Sequence, residues 1–320
     1  VILTLTPNPS IDATMQLDSE LRRGHVQRPT SITQVAGGKG VNVSHAMLLA
    51  GKHTLAVFPA GGNDPFVALT RQTEIPFHAI PVEEGVRINT TIAEPDGTTT
   101  KINGLGATID DRVRKVVEET VTQLAASSSW LVMAGSLPPG VPVGWYTDLI
   151  ATVRATHPDL PIAVDTSDAA IRALGQGLER AAPTLIKPNG LELGQLVDRD
   201  GEALEQAAAA GDFEEVVAAA RMVIERGINE VLVTLGASGA ALVTREGAWF
   251  ATPPPVEVRS TVGAGDSSLA GYLIARAEGD GPADCLTRAV AYGTAATGLP
   301  GTTIPSPAQL NLTDTHVRAL

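Results

Sequence analysis

Six short apolar runs punctuate the chain: "VILTLT" at 1–6, "TLAVFPA" at 54–60, "WLVMAG" at 130–135, "PIAVDT" at 161–166, "TLIKPN" at 184–189 and "EVLVTLG" at 230–236. None alternates with polar residues, which is the pattern of strands buried on both faces of a parallel sheet. Between them the period changes to that of helices. The clearest helical segment begins at Asp212, with Glu214 and Glu215 in its first turn and apolar residues at Phe213, Val216, Val217, Ala220, Val223 and Ile224, and it stops at Gly227. This alternation predicts an α/β fold, a mainly parallel central sheet flanked by helices. No internal repeat or long linker interrupts it, so residues 1–320 are expected to form one domain.

One region has a different rhythm. In "VRINTTIAEPDGTTTKING", residues 86–104, two β-rich runs flank the turn signal Pro95-Asp96-Gly97. The period of two puts Arg87, Asn89 and Thr91 on one face of the first run, Ile88, Thr90 and Ile92 on the other, and Lys101 with Asn103 on one face of the second. With β-like stretches at about 11–18 and 24–35, these runs predict a small four-stranded sheet inserted into the first half. One polar and one apolar face suit a lid or a contact between two copies.

Charge narrows the partners. The 23 Lys and Arg stand against 35 Asp and Glu, a net charge of −12, which argues against broad attachment to nucleic acid. An anionic ligand must be met by a few placed cations. Cys285 is the only cysteine, which excludes an intrachain disulfide and a thiolate metal cluster, and the six histidines show no ligand spacing. The apolar runs are far shorter than the roughly 20 residues of a membrane helix, and Val1 opens directly on a strand pattern. A cytoplasmic protein without membrane partners is expected.

Four segments carry polar chemistry among glycines. "AGGKGVNVSHAMLLAG", 36–51, is neither a phosphate-binding Walker loop nor a complete G-x-G-x-x-G, because Val43 holds the last place. Tight helix packing explains its glycines but not Lys39 and Asn42. "LIKPNGLELGQL", 185–196, places Lys187, Asn189 and Glu192 after a buried strand, where α/β sheets line their ligand crevice. Capping of the next helix explains Asn189 and Glu192 equally well. "VTLGASGAAL", 233–242, with Gly236 and Gly239, reads by itself as an ordinary hairpin. In "STVGAGDSSLAGY", 260–272, Gly263, Ala264 and Gly265 offer successive backbone N–H groups at a helix start. Asp266 follows them, as a dipole-favoured acid of the first turn or as a reactive carboxylate.

Taken together, "GGKGVNVSHAMLLAG" with Gly61 ten residues beyond Gly51, "KPNGLE" and "STVGAGDSSLAG" resemble the paired signatures and nucleotide loop of the ribokinase-like (PfkB) carbohydrate kinases. They occur in the family's order and the likeness covers most of the chain. "TLTPNPSID" at 4–12, "VRIN" at 86–89 and "AGSLPPGV" at 134–141 are similar to the members that act on phosphorylated ketohexoses. The resemblance implies a three-layer ribokinase-like fold with a small β-sheet lid. It implies Asp266 as general base, with the backbone of Gly263, Ala264 and Gly265 receiving developing charge. Asp12, Gly38, Lys39 and Asn42 correspond to sugar contacts, and Arg87, Lys39 and Lys101, with Asn89 beside them, to the cations and polar groups at the sugar's phosphate. Lys187, Asn189, Thr234, Gly236, Gly239 and Gly265 correspond to the nucleotide site, and Glu192 with Asn189 to the pair that organises Mg²⁺ through water. Arg259 departs from the family, which has a small or apolar residue there at the pocket edge.

The implied activity is ATP-dependent phosphorylation of a ketohexose phosphate, with fructose 1-phosphate giving fructose 1,6-bisphosphate. Tagatose 6-phosphate and fructose 6-phosphate are alternative acceptors, since spacing does not distinguish them. The implied cofactors are Mg²⁺ with ATP and a monovalent cation near residues 260–265, and a homodimer through the lid strands is the implied assembly. A non-catalytic sugar-phosphate-binding regulator is a further alternative, against which the intact Asp266 and "KPNGLE" stand. A nicotinamide oxidoreductase is disfavoured because the first strand leads into "TLTPNPSID", which contains no glycine.

Overall fold

The computed structural model describes residues 1–320. The first half runs β1 (Ile2–Leu5), β2 (Ser10–Gln16), β3 (Ser31–Gly37), α1 (Lys39–Leu49), β4 (Thr54–Pro59), α2 (Pro65–Gln72), β5 (Phe77–Ile80), β6 (Arg87–Ala93), β7 (Thr99–Asn103) and α3 (Asp111–Ala125). Then come β8 (Trp130–Ala134), α4 (Trp145–Thr156), β9 (Ile162–Asp165), α5 (Asp168–Gly177), β10 (Leu185–Ile186), α6 (Gly190–Val197), α7 (Gly201–Ala209) and α8 (Glu214–Glu225). The chain closes with β11 (Glu230–Thr234), β12 (Ala240–Thr244), β13 (Ala248–Thr252), α9 (Ala264–Glu278), α10 (Pro282–Thr297) and β14 (His316–Ala319).

The six apolar runs are β1, β4, β8, β9, β10 and β11, and all are parallel neighbours in a ten-stranded sheet of order β14-β13-β12-β11-β10-β9-β8-β1-β4-β5. Their lack of polar alternation has a direct cause. Leu3, Leu5, Leu131, Met133, Ile162 and Val164 face one core with α3, α4, α5, α6 and α8, while Ile2, Trp130, Val132 and Ala163 face the other with α1, α9 and α10. Both faces are dry, so both sets must be apolar. Beyond β11 the sheet turns antiparallel: β12 pairs with it in the hairpin expected at 233–242, and β13 and β14 extend an edge that the apolar runs did not announce.

A second, four-stranded sheet has the order β3-β2-β6-β7. Its register pairs Ser10 with Arg87, Asp12 with Asn89, Asn89 with Asn103 and Thr91 with Lys101, which gathers the polar side chains on one face. The opposite face carries Ile11, which is buried against Val41, Phe58 and Phe66, and then Ile32, Ile88 and Ile102 at 55%, 49% and 61% exposure. The strand expected from about residue 24 begins only at Ser31. Residues 17–30 form a loop instead, because local polar bonds compete with strand pairing there: Glu94 accepts from the Leu21 N–H at 2.8 Å, and Gln27 accepts from the Arg22 N–H at 2.6 Å while donating to the Glu20 carbonyl.

Gly40 fixes how closely α1 approaches β1. A Cβ there would lie 2.9 Å from the Leu5 carbonyl oxygen, which a buried strand cannot vacate. Gly40→Ala is therefore expected to cost roughly 1–3 kcal/mol of stability by overpacking, read as a lowered urea midpoint at unchanged slope.

Candidate active site

A cavity of about 1330 Å³ opens along the carboxyl ends of the parallel strands, from the polar face of the small sheet to the β11–β12 turn. It is the crevice that an open α/β sheet provides. Around it stand the N-termini of α1, α6 and α9, each introduced by one of the glycine-bearing segments.

At the start of α9, Gly263 adopts the left-handed φ of 78°, which turns the chain into the helix; the Ala264 N–H donates to the Thr261 carbonyl at 3.4 Å, while the Gly265 N–H has no backbone partner. Asp266 sits in that first turn, 7% exposed, and its Oδ2 accepts from the Asn42 side-chain amide of α1 at 2.7 Å. Burial pushes the Asp266 carboxyl up to about 6, opposed by Lys39 and reinforced by the negative charge of Asp165. A carboxyl raised this far can exchange a proton near neutral pH, which an exposed first-turn acid cannot.

Asp165, the last residue of β9, has no exposed side-chain surface. Its Oδ1 takes the Lys39 ammonium at 2.7 Å and its Oδ2 lies 3.2 Å from the Lys187 ammonium. Burial would raise this carboxyl, yet Lys187 and Lys39 together hold it below the ordinary carboxylate range, and Lys39 is pushed up in return. Gly265 leaves room for the arrangement, since a Cβ there would lie 3.1 Å from the Lys187 Nζ.

At α6 the capping reading of "KPNGLE" holds, and Lys187, Asn189 and Glu192 also line the cavity. Asn189 and Glu192 form a capping box: the Glu192 N–H donates to Asn189 Oδ1 at 2.7 Å and the Asn189 N–H donates to Glu192 Oε2 at 2.8 Å. The cap uses one Glu192 oxygen and leaves Oε1 uncommitted in a residue that lines the cavity. Burial raises the Glu192 carboxyl. No three acidic, histidine or cysteine side chains converge as a metal cage. One uncommitted carboxylate oxygen in the cavity wall fits a hydrated Mg²⁺ that keeps most of its waters and its phosphate ligands. Thr234, Gly236 and Gly239 line the cavity at the β11–β12 hairpin, so the hairpin is also a wall.

At the opposite end the small sheet supplies Asp12, which accepts from the Ser10 hydroxyl at 2.8 Å and the Asn89 amide at 3.1 Å. Burial raises its carboxyl, and Ser10, Asn89 and Arg87 oppose the rise. Arg87 donates to the Asn8 carbonyl at 3.1 Å and lines the cavity with a buried Nε that has no partner. Gly38, Lys39 and Asn42 join them along the same wall. Lys101 shares the sheet face but lies outside the cavity lining, exposed, and acts on Asp12 only through its charge. Arg259 is exposed and also outside the lining. Sequence reasoning missed Asp165, Asn8, Ser136 and Asn103, all of which line or anchor the cavity. Asp165 was detectable: it ends a buried parallel strand, the same placement that singled out Lys187.

The family profile described as pfkB family carbohydrate kinase matches residues 6–309. The chain belongs to the pfkB family of carbohydrate kinases. Among its relatives in that family, 1-phosphofructokinase of Haloferax volcanii is 35% identical, over 99% of this chain and 97% of that protein. ATP-dependent 6-phosphofructokinase isozyme 2 of Escherichia coli is 32% identical, over 95% of each chain. The crystal structure of phosphofructokinase-2 from Escherichia coli in complex with substrates and products superposes with a TM-score of 0.86 at 30% identity, covering 96% of each chain. The same enzyme has been solved in complex with potassium and in a tetrameric inhibited form. This pfkB-family fold thus has an α/β sheet and a small separate sheet in common with an enzyme of known structure.

The raised Asp266 has a consequence for stability. Its carboxyl changes from an ordinary value of 3.8 to about 6 on folding, so the folded chain holds the proton more tightly and stability falls as pH rises between those values. Asp266→Asn, which can still accept from Asn42, should therefore be more stable than the parent at pH 7.5 by roughly 1–3 kcal/mol and little different at pH 4. Urea titrations at the two pH values measure the difference.

Proposed function

We propose that this protein transfers the γ-phosphoryl group of ATP to the free primary hydroxyl of a phosphorylated ketohexose, with fructose 1-phosphate as acceptor and fructose 1,6-bisphosphate as product. The carrying observation is the buried Asp266 behind the Gly263–Gly265 N–H groups, in one cavity with Arg87 at its far end. Asp266 takes the proton of the attacking hydroxyl as its oxygen bonds to phosphorus and the bond to ADP breaks. The N–H groups at the start of α9 receive charge on the transferred group, and Lys39 and Lys187 add to this. Arg87 grips the phosphate already on the sugar with its planar fork, and Asp12 accepts from sugar hydroxyls. Glu192, with Asn189, would hold Mg²⁺ through water, which supplies neutralisation of the nucleotide phosphates.

Fructose 6-phosphate is the second reading, favoured by the likeness to the Escherichia coli isozyme 2. Both acceptors carry a phosphate and a free primary hydroxyl at opposite ends of one furanose ring, so one site geometry serves either. A monovalent cation near residues 260–265 belongs to the same reading, supported by the potassium complex of the Escherichia coli enzyme. So does a homodimer through the small sheet, whose outer face leaves Ile32, Ile88 and Ile102 exposed. Cytoplasmic residence is part of the proposal, and no helix is long and apolar enough to cross a membrane.

ADP release measured with fructose 1-phosphate, fructose 6-phosphate and tagatose 6-phosphate in turn should give the highest kcat/KM for the first; a preference for either of the others would reassign the acceptor. Asp266→Asn should lower kcat about 10²–10⁴-fold at nearly unchanged ATP affinity. Arg87→Ala should instead raise the phosphosugar KM, and an unchanged KM would remove Arg87 from the acceptor site.

Because the base must be ionised, kcat/KM should fall toward acid with an apparent pKa of about 6, after division by the acceptor phosphate's own titration followed by ³¹P NMR.

A further inference from the structure

Lys39 and Lys187 reach the cavity from different elements, one at the first turn of α1 and the other just past β10, and both end on Asp165. Two cations on one carboxylate is an unusual economy in a site that must bind two polyanions. Each lysine takes a separate oxygen, at 2.7 Å and 3.2 Å, and the carboxylate itself has no solvent-exposed surface. Asp165 is the one group that the Lys39 ammonium contacts. The groups whose charge it feels besides Asp165 are Asp266 on α9 and Glu192 on α6. Tyr146 of α4, close enough to feel Asp165, spends its hydroxyl on the Gly135 carbonyl at 2.8 Å.

The alternatives open to Lys39 are therefore damaging. If its ammonium moved to Asp266 it would pair with the carboxylate that must accept a proton, and the base would be quenched by a direct ion pair. If it moved out to solvent, the positive charge would leave the transfer point, where low dielectric makes it effective. We propose that Asp165 is a positioning residue for phosphoryl transfer: its two oxygens hold Lys39 and Lys187 side by side at the transferred group and keep Lys39 off Asp266. This rests on the kinase reading above and assigns Asp165 no contact with substrate.

The competing role is structural, an anion that merely offsets a buried Lys187, whose side chain is 5% exposed. Asp165→Asn alone would leave that lysine buried without a partner, and its folding would suffer for reasons unrelated to catalysis. Lys187→Met is the better background, because adding Asp165→Asn then removes the anion while leaving only Lys39, which is 31% exposed and able to reach water.

In that background, Asp165→Asn should lower kcat about 10²-fold while the KM values for ATP and phosphosugar stay within about 3-fold, the signature of lost positioning rather than lost binding. Lys39→Met should cause a similar loss in the same background. Combining it with Asp165→Asn should add less than about 3-fold, because both changes remove one interaction. Equal kcat for Lys187→Met with and without Asp165→Asn, both folded by thermal unfolding, would overturn the inference. Losses from Asp165→Asn and Lys39→Met that multiply would overturn it as well. Absence of phosphoryl transfer by the unaltered protein to any of the three phosphosugars would instead overturn the kinase reading, and the inference with it.

Discussion

The cavity depends on a carboxylate that has no access to water. Asp165 ends a four-residue strand in the middle of the sheet, and its charge is tolerable there only because Lys39 and Lys187 meet it. That pairing joins the wall of the crevice built on α1 to the wall built on β10 and α6. Asp266 feels the result from α9: Asp165's charge adds to burial in keeping its proton, while the lysines and the Asn42 amide act the other way. The balance produces a carboxyl near the range in which a base both ionises and accepts a proton readily.

The fold exists to bring these groups together. Each comes from a strand end or a helix start, the parts of an α/β sheet where backbone N–H groups and helix dipoles face one crevice. The dry cores on both faces of the sheet hold those ends at fixed separations. Glycines at Gly40 and Gly265 permit the close approach of α1 to β1 and of α9 to Lys187; a Cβ at Gly40 would clash with strand backbone, and one at Gly265 would press on the Lys187 ammonium. The small sheet contributes Asp12, Asn89 and Arg87 on one face and leaves isoleucines on the other, so one element turns polar groups into the cavity and presents an apolar surface outside. An acidic chain thereby concentrates its few useful cations, Lys39, Arg87 and Lys187, inside one cavity.

Much of this was legible in residues. Buried strands announced themselves because both their faces are apolar, and the glycine segments stood out because Lys39, Asn42, Asn189 and Asp266 are polar groups that packing does not require. The antiparallel edge was quieter. β12 and β13 follow tight turns, and β14 pairs across the end of the chain with β13, a partnership no local pattern reveals. The strand expected from about residue 24 begins late because Gly24 and Pro29 do not suit a strand and Gln27 bonds within the loop to the Arg22 N–H and the Glu20 carbonyl. Asp165 stands at a strand end that singles it out in the sequence, but its partners do not show there: they are lysines 126 and 22 positions away, and only the folded sheet puts them at its oxygens. Lys101 shows the converse, since sharing a face by period of two does not carry a side chain into a cavity.

The central claim is that the cavity joins a phosphate grip at one end to a phosphoryl-transfer centre at the other. ³¹P NMR of the protein incubated with ATP, Mg²⁺ and fructose 1-phosphate tests it most directly, because it reads where the phosphorus goes. The account predicts ADP and a fructose bisphosphate phosphorylated at both ends, appearing in equal amounts. ATP left intact, or hydrolysed to inorganic phosphate with fructose 1-phosphate unchanged, would contradict it.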